Sequence, residues 1–185
     1  MPPTLPRPRG QTSTVDNGGV DRLIPDPGFA GDDGSADAGL ERALAGYARD
    51  ELTHADVLLE LQGARLLVPV VATLGEVEID EHGLAHDKTS DMAAVLMRGA
   101  DGRLALLSFT STQTLARWNP EARPVPVHAR LAAQSAVQDG AAALVIDIAG
   151  PVRLVVEGDD LVALAAGWRA AKVGEDIAWI GRGQE

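Results

Sequence analysis

A single α+β domain, with a mixed or antiparallel sheet flanked by helices, is the fold class this sequence predicts. Three observations predict it. Segments with apolar residues at helical spacing alternate along the chain with short apolar runs of strand length. Two neighbouring pairs of those runs are separated by only a tight turn, which joins antiparallel strands but is too short for a parallel crossover. The 185 residues, 45% of them hydrophobic, suffice for one core and a tail. A doubly wound parallel sheet would need a helix between successive strands, and the hairpins leave no room for one.

Residues 1–36 are rich in Pro, Gly, Asp and Ser, with Leu23, Ile24 and Phe29 as the cluster of buriable side chains. They are expected to form a flexible arm, too polar to offset its own ordering entropy, with RLIPDPGF able to dock as a strap. The domain is expected over 37–172, followed by an extension over 173–185. Leu40, Ala43, Leu44, Tyr47 and Ala48 lie on one face of a first helix. Thr53 with Asp56 signals the cap of a second, Leu52 and Val57 stand at staple spacing, and Gly63 closes it.

RLLVPVVA, residues 65–72, is a strand whose Pro69 lacks a ladder donor, which places it at an edge or a bend. MAAVLMR and RLALLSF flank the short loop Gly99–Gly102 as a hairpin, and ALVIDI and RLVVE flank Ala149-Gly150-Pro151 as another. Between the hairpins fall a helix after Phe109 and a second one with Ala129, Ala132, Ala133, Ala136 and Val137 on one face, ended by Gly140. A last helix, capped by Asp159, presents Leu161, Leu164, Ala165 and Trp168 on one side.

Composition excludes several function classes. A net charge of −11 repels phosphate backbones and anionic lipids, and the scattered basic residues form no patch, so neither nucleic acid nor a membrane is an expected partner. Without cysteine there is no disulfide, thiolate nucleophile or Cys-ligated metal. The N-terminus has no apolar signal-type region and no run reaches about 18 apolar residues, so a cytoplasmic protein is expected.

FTSTQTLARW carries three successive hydroxyls, Thr110, Ser111 and Thr112, where a strand hands over to a helix. Thr110 with Gln113 fits a capping box, and Leu115 and Trp118 at i and i+3 would then pack inward. A nucleophilic Ser111 would need a base and an orienting acid. His128 and Asp147 exist, but no G-x-S-x-G elbow or oxyanion-forming glycines accompany Ser111. The helix-start reading is preferred.

The acidic stretch 76–91 holds His82 and His86, a weak metal candidate because the glycine between them breaks helical i, i+4 alignment. The competing reading is a solvated acidic loop. Asp147 precedes Ala149-Gly150-Pro151, where an aspartate bonds the turn's own backbone. Arg123, in ARPVP, is aimed by a proline-flanked backbone preset near polyproline II and could pair with the acidic surface or hook an anion. No phosphate-binding glycine loop is present, and no cofactor is expected.

KTSDMAAVLM, GRLALLSFTSTQTLARW, ARPVPV and ALVIDIAGP, in this order and spacing, resemble the SseB family in its actinobacterial form, and the PDPGFAGDDGSAD entry segment is similar too. The resemblance spans most of residues 25–170 and corresponds to the family's N-terminal domain; a separate C-terminal domain is not expected. The matching positions include Asp91, Met92, Phe109, Thr110, Ser111, Trp118, Arg123, Pro124, Pro126 and Asp147. The family is named for a serine-sensitivity phenotype in enteric bacteria, and the resemblance attaches no catalytic role to these positions. The type III secretion translocon component of the same name is a different protein, with long apolar and coiled-coil segments this sequence lacks.

Three functional readings follow. The first is a non-enzymatic module binding a protein or small ligand in a cleft, with Asp91, Arg123, Trp118 and Asp147 as its candidate residues. The second is a hydrolase using Ser111 or a metal held by His82 and His86. The third is a homo-oligomer that pairs through an exposed sheet edge at residues 65–72.

Overall fold

In the computed structural model, which describes residues 29–73, 78–79, 85–86 and 91–181, the first two helices start where their capping residues stand. Asp37 caps α1 (Ala38–Tyr47), its carboxylate accepting from the N–H groups of Gly39 and Leu40 at 2.9 and 3.1 Å. Thr53 and Asp56 form the expected capping box on α2 (His54–Leu61), each side chain accepting from the other's backbone N–H. Leu40, Ala43 and Leu44 of α1 and Val57, Leu58 and Leu61 of α2 are buried in one core.

Strand β1 (Arg65–Thr73) is followed by β2 (Glu78–Ile79) and β3 (Ala85–His86), which pair with each other, then by β4 (Asp91–Ala94), β5 (Leu96–Arg98) and β6 (Leu104–Ser108). Helix α3 (Thr112–Trp118), strand β7 (Arg123–His128) and helix α4 (Ala129–Gln138) lead to β8 (Ala143–Ile146) and β9 (Leu154–Glu157). One sheet has the order β4-β1-β7, all antiparallel. The other has the order β5-β6-β8-β9, with β6 and β8 parallel and the outer pairs antiparallel. The α+β class with mixed and antiparallel sheets is therefore what the chain adopts, and both expected hairpins form.

The edge position expected for β1 is overturned: it is the middle strand, with β4 on one side and β7 on the other. Register explains how Pro69 fits there. It stands opposite Pro124, so this row exchanges no N–H and must be a non-hydrogen-bonded one. The carbonyl of Pro69 then points the other way and accepts from Val95 N at 3.2 Å. Val95 is where MAAVLMR breaks into β4 and β5, so the missing donor falls at an interruption of the ladder. ARPVP, expected as polyproline II, is the edge strand β7. Pro124 and Pro126 share one strand parity, so both nitrogens lie along its outer side, and a ladder without those donors is a poor template for a further strand. Strand β1 is thus not the exposed sheet edge that the oligomer reading places at 65–72.

The two sheets meet where Leu67 and Phe109 exchange both backbone hydrogen bonds, each 2.8 Å long. Side chains alternate between two buried layers. Leu66, Val68, Leu106, Leu144 and Ile146 enter the larger core with α1, α2, α4 and α5 (Gly158–Ala166). Leu67, Leu107, Ala143 and Val145 face the smaller one with Phe109 and Leu115. Burial on both faces is why these strands read as continuous apolar runs. In α4 the four alanines face the core as expected, but Val137 is 45% exposed.

Of the RLIPDPGF strap only Phe29 is described, Leu23 and Ile24 lying outside the described residues, and the segment that follows it, 29–36, lies against the domain. The Phe29 ring sits 4.8 Å from His128, Asp32 pairs with Arg65 at 2.9 Å, and Thr112 N donates to Gly34 O at 2.8 Å. Arg65 also donates to the carbonyls of Ser35 and Thr110, so one guanidinium ties this segment to the end of β6.

At the other end, α5 starts two residues earlier than expected. Glu157 is its N-cap, and Asp159 lies in the first turn, where its charge favours the positive end of the helix without capping it. Gly167, at φ 72°, ends the helix, so Trp168 lies beyond it and not on its inward face. The boundary expected near residue 172 falls inside a hairpin of β10 (Arg169–Val173) and β11 (Asp176–Ile180). That hairpin is fastened to the body: Lys172 Nζ to Asp56 at 2.6 Å, Ala170 N to Gln62 Oε1 at 2.9 Å, and Trp179 Nε1 to Asp160 at 2.8 Å.

Asp56 thus serves a cap and an ion pair at once. The Lys172 ammonium, with the N–H and hydroxyl of Thr53, lowers its carboxyl from 3.8 to about 2. A depressed folded-state value means that the folded chain binds this proton less readily than the unfolded chain. Its contribution is therefore complete above pH 3.8 and is lost as pH falls toward about 2. Asp56→Asn is expected to flatten the acid limb of a Tm-against-pH curve in that window; curves parallel to the parent's would contradict it.

Candidate functional site

The hydroxyl cluster sits at the junction of β6 and α3, and each hydroxyl has a separate task. Thr110 is buried and faces Asp147, donating from its backbone N–H to Oδ1 at 2.9 Å and from its hydroxyl to Oδ2 at 2.6 Å. Ser111 is the N-cap. Its hydroxyl accepts from Thr114 N at 3.2 Å, and the Thr114 hydroxyl accepts from Ser111 N at 3.2 Å. Thr112 donates its hydroxyl to Gly34 O at 3.3 Å. The helix start is as expected, but the capping box is Ser111 with Thr114, not Thr110 with Gln113.

Asp147 differs from expectation as well. It follows β8 at φ 53°, a left-handed conformation that aspartate tolerates better than most residues. Its carbonyl accepts from Gly150 N at 2.8 Å, so the turn is closed by the backbone. The carboxylate, freed from turn-making, reaches across to Thr110. Only 3% of Asp147 is exposed, and the buried oxygens are matched by the two donors just described.

These groups line a cavity of about 420 Å³ between α1, α3 and the turn after β8. Leu44, Ala45 and Val152 give it an apolar side, Thr110, Ser111 and Asp147 a polar floor, and Glu41, Arg49 and Arg117 its charged residues. Arg49 is held by Glu51 in a bidentate pair at 2.9 and 2.7 Å. Among the described residues no histidine lines the cavity.

Of the residues the sequence singles out, Asp147 lines this cavity, and Trp118 and Arg123 do not. Trp118 is half-buried in the smaller hydrophobic layer, its ring 5.4 Å from Phe109. Arg123 is exposed at the start of β7, opposite Val70. Asp91 is the first residue of β4, opposite Thr73, on the other flank of β1. The structure does not gather Arg123 and Asp147 around one cleft. Of the metal candidates, His82 lies outside the described residues and His86 is placed only as backbone in β3, opposite Glu78. Among the described residues no three metal-ligating side chains come together.

Sequence reasoning missed Glu41, Arg49 and Arg117. A signal was present: Glu41, Ala45 and Ala48 recur at i, i+4, i+7 beside the core face of α1, and two alanines on a semi-exposed face leave room beside a helix.

No curated protein and no solved structure matches the chain. The family model of the SseB protein N-terminal domain matches residues 40–163, from within α1 to within α5 and including the β6–α3 junction, Asp147 and the cavity between them. That span is well over half of the sequence, and the chain belongs to the SseB family through this N-terminal domain.

Proposed function

We propose that the chain is a non-enzymatic binding module of the actinobacterial SseB type, acting in the cytoplasm, whose cavity between α1 and α3 receives a small ligand or a side chain of a partner protein. The observation that carries this reading is that the polar floor is already committed. Thr110 is bound to Asp147, and Ser111 is bound to Thr114, which leaves a recess of fixed shape with charged groups around it. The linked motifs support the actinobacterial assignment. No helix among the described residues is long and apolar enough to cross a membrane.

Ala45→Trp tests the reading by filling the recess from α1. In a thermal-shift screen of small molecules and peptides, ligands that stabilise the parent chain should lose at least about tenfold in affinity, about 1.4 kcal/mol, in this variant, with circular dichroism unchanged. Undiminished stabilisation would refute the cavity as the site. The competing hydrolase reading predicts turnover of some substrate that Ser111→Ala abolishes; that result would replace the binding module by an enzyme.

A further inference from the structure

A second cavity, of about 450 Å³, lies on another part of the molecule, between α4, the end of α5 and the β10–β11 hairpin. Among the described residues its charged lining residues are Arg130 and Arg169, with no carboxylate beside them. In a chain with 27 acidic and 16 basic residues, that composition runs against the overall charge. Neither guanidinium forms an ion pair among the described residues. Trp168, 45% exposed, also lines the cavity.

Close backbone approaches shape the lining. A Cβ on Gly167 would stand 2.9 Å from Arg130 Cδ, so the arginine stem lies against the bare backbone there. A Cβ on Gly181 would stand 3.2 Å from Trp168 Cε2, so the indole rests on the backbone of that residue. Several polar groups nearby already have partners. Gln62 accepts from Ala170 N and donates to Leu59 O, and the carbonyls of Ala163 and Leu164 accept from Trp168 N and Gly167 N. The side chains left to meet a ligand are two cationic forks and an aromatic face, with Leu164 and Ile180 as apolar lining.

We propose that this cavity binds a small anion carrying a planar ring, its anionic group held by Arg130 and Arg169 and its ring stacked on Trp168. Guanidinium forks match the oxygens of carboxylate and phosphate alike, so the anionic group is one of these two. An exposed indole gives a flat ring a sequence-independent surface to lie on. Trp168, Arg169 and Gly181 lie beyond residue 163, so the site is built largely outside the segment that matches the family model.

Calorimetric and tryptophan-fluorescence titrations of the full chain at low ionic strength test it, with four probes: adenosine monophosphate, benzoate, inorganic phosphate and adenosine. At least one ring-bearing anion should bind saturably, at least about tenfold more tightly than phosphate or adenosine; which one does so separates the phosphate from the carboxylate source. Arg130→Gln and Arg169→Gln should each weaken it, and together by at least about tenfold, whereas Ala45→Trp should leave it unchanged. Trp168→Phe should remove the fluorescence response while calorimetry still reports binding. No saturable binding of either ring-bearing anion, equal affinity for adenosine, or full affinity in the double arginine variant would overturn the proposal.

Discussion

Phe109→Ala is expected to destabilise the chain by about 3–5 kcal/mol, a large share of the 5–15 kcal/mol typical of a folded domain. Phe109 is fully buried and its ring packs in the smaller layer with Leu67, Leu107, Leu115 and Val145. Its buried neighbours in that layer are aliphatic, and the half-buried Trp118 ring stands 5.4 Å away. The residue also occupies the seam of the fold, since its backbone exchanges the two hydrogen bonds that join the sheets at Leu67. A cavity there loosens Trp118 from its ring contact and Thr110 from its place beside Asp147. Phe109→Leu, which keeps most of the volume, should cost about 1 kcal/mol. Urea denaturation followed by fluorescence measures both; a loss below about 1.5 kcal/mol for the alanine variant would mean that the smaller layer closes over the gap.

Elements whose signals are local were legible in the sequence. The Thr53–Asp56 box needs only the residues between them, and the Gly99–Gly102 hairpin and the alanine face of α4 are equally self-contained. What escaped depends on distant partners. Pro69 marks an edge only if its neighbours are ordinary residues; opposite Pro124, with Val95 breaking the next strand, the same proline fits the middle of a sheet. Thr110 and Ser111 can each cap a helix, and the choice was made by Asp147, which takes the first and leaves the second. The apolar period of α5 runs on to Trp168, but Gly167 stops the helix before it. The candidate site was legible to a similar degree. Asp147 was found from its place in a turn, while only the packing of α1 beside α3 makes Glu41, Arg49 and Arg117 neighbours of a cavity.

Asp147→Ala should cost about 2–4 kcal/mol, and the alternatives at this position separate its causes. Removing the carboxylate leaves the Thr110 N–H and hydroxyl buried without their acceptors, at about 1–3 kcal/mol for a stranded group. Alanine at φ 53° adds about 1 kcal/mol of left-handed strain. Asp147→Gly relieves that strain and keeps the unpaired donors, so it should be less harmful than alanine by about 1 kcal/mol. Asp147→Asn keeps an acceptor for the N–H, offers an amide donor to the Thr110 oxygen and tolerates the backbone, so about 1 kcal/mol or less should be lost. The order Asn, Gly, Ala from mildest to most severe follows only if the side chain serves Thr110 and the backbone is strained. Equal losses for Asn and Ala in urea denaturation would mean that the hydrogen bonds to Thr110 carry no stability. In that case a buried aspartate in an unfavourable conformation beside the cavity would have to be kept for a ligand that it touches directly, and the floor of the recess would become its reactive part.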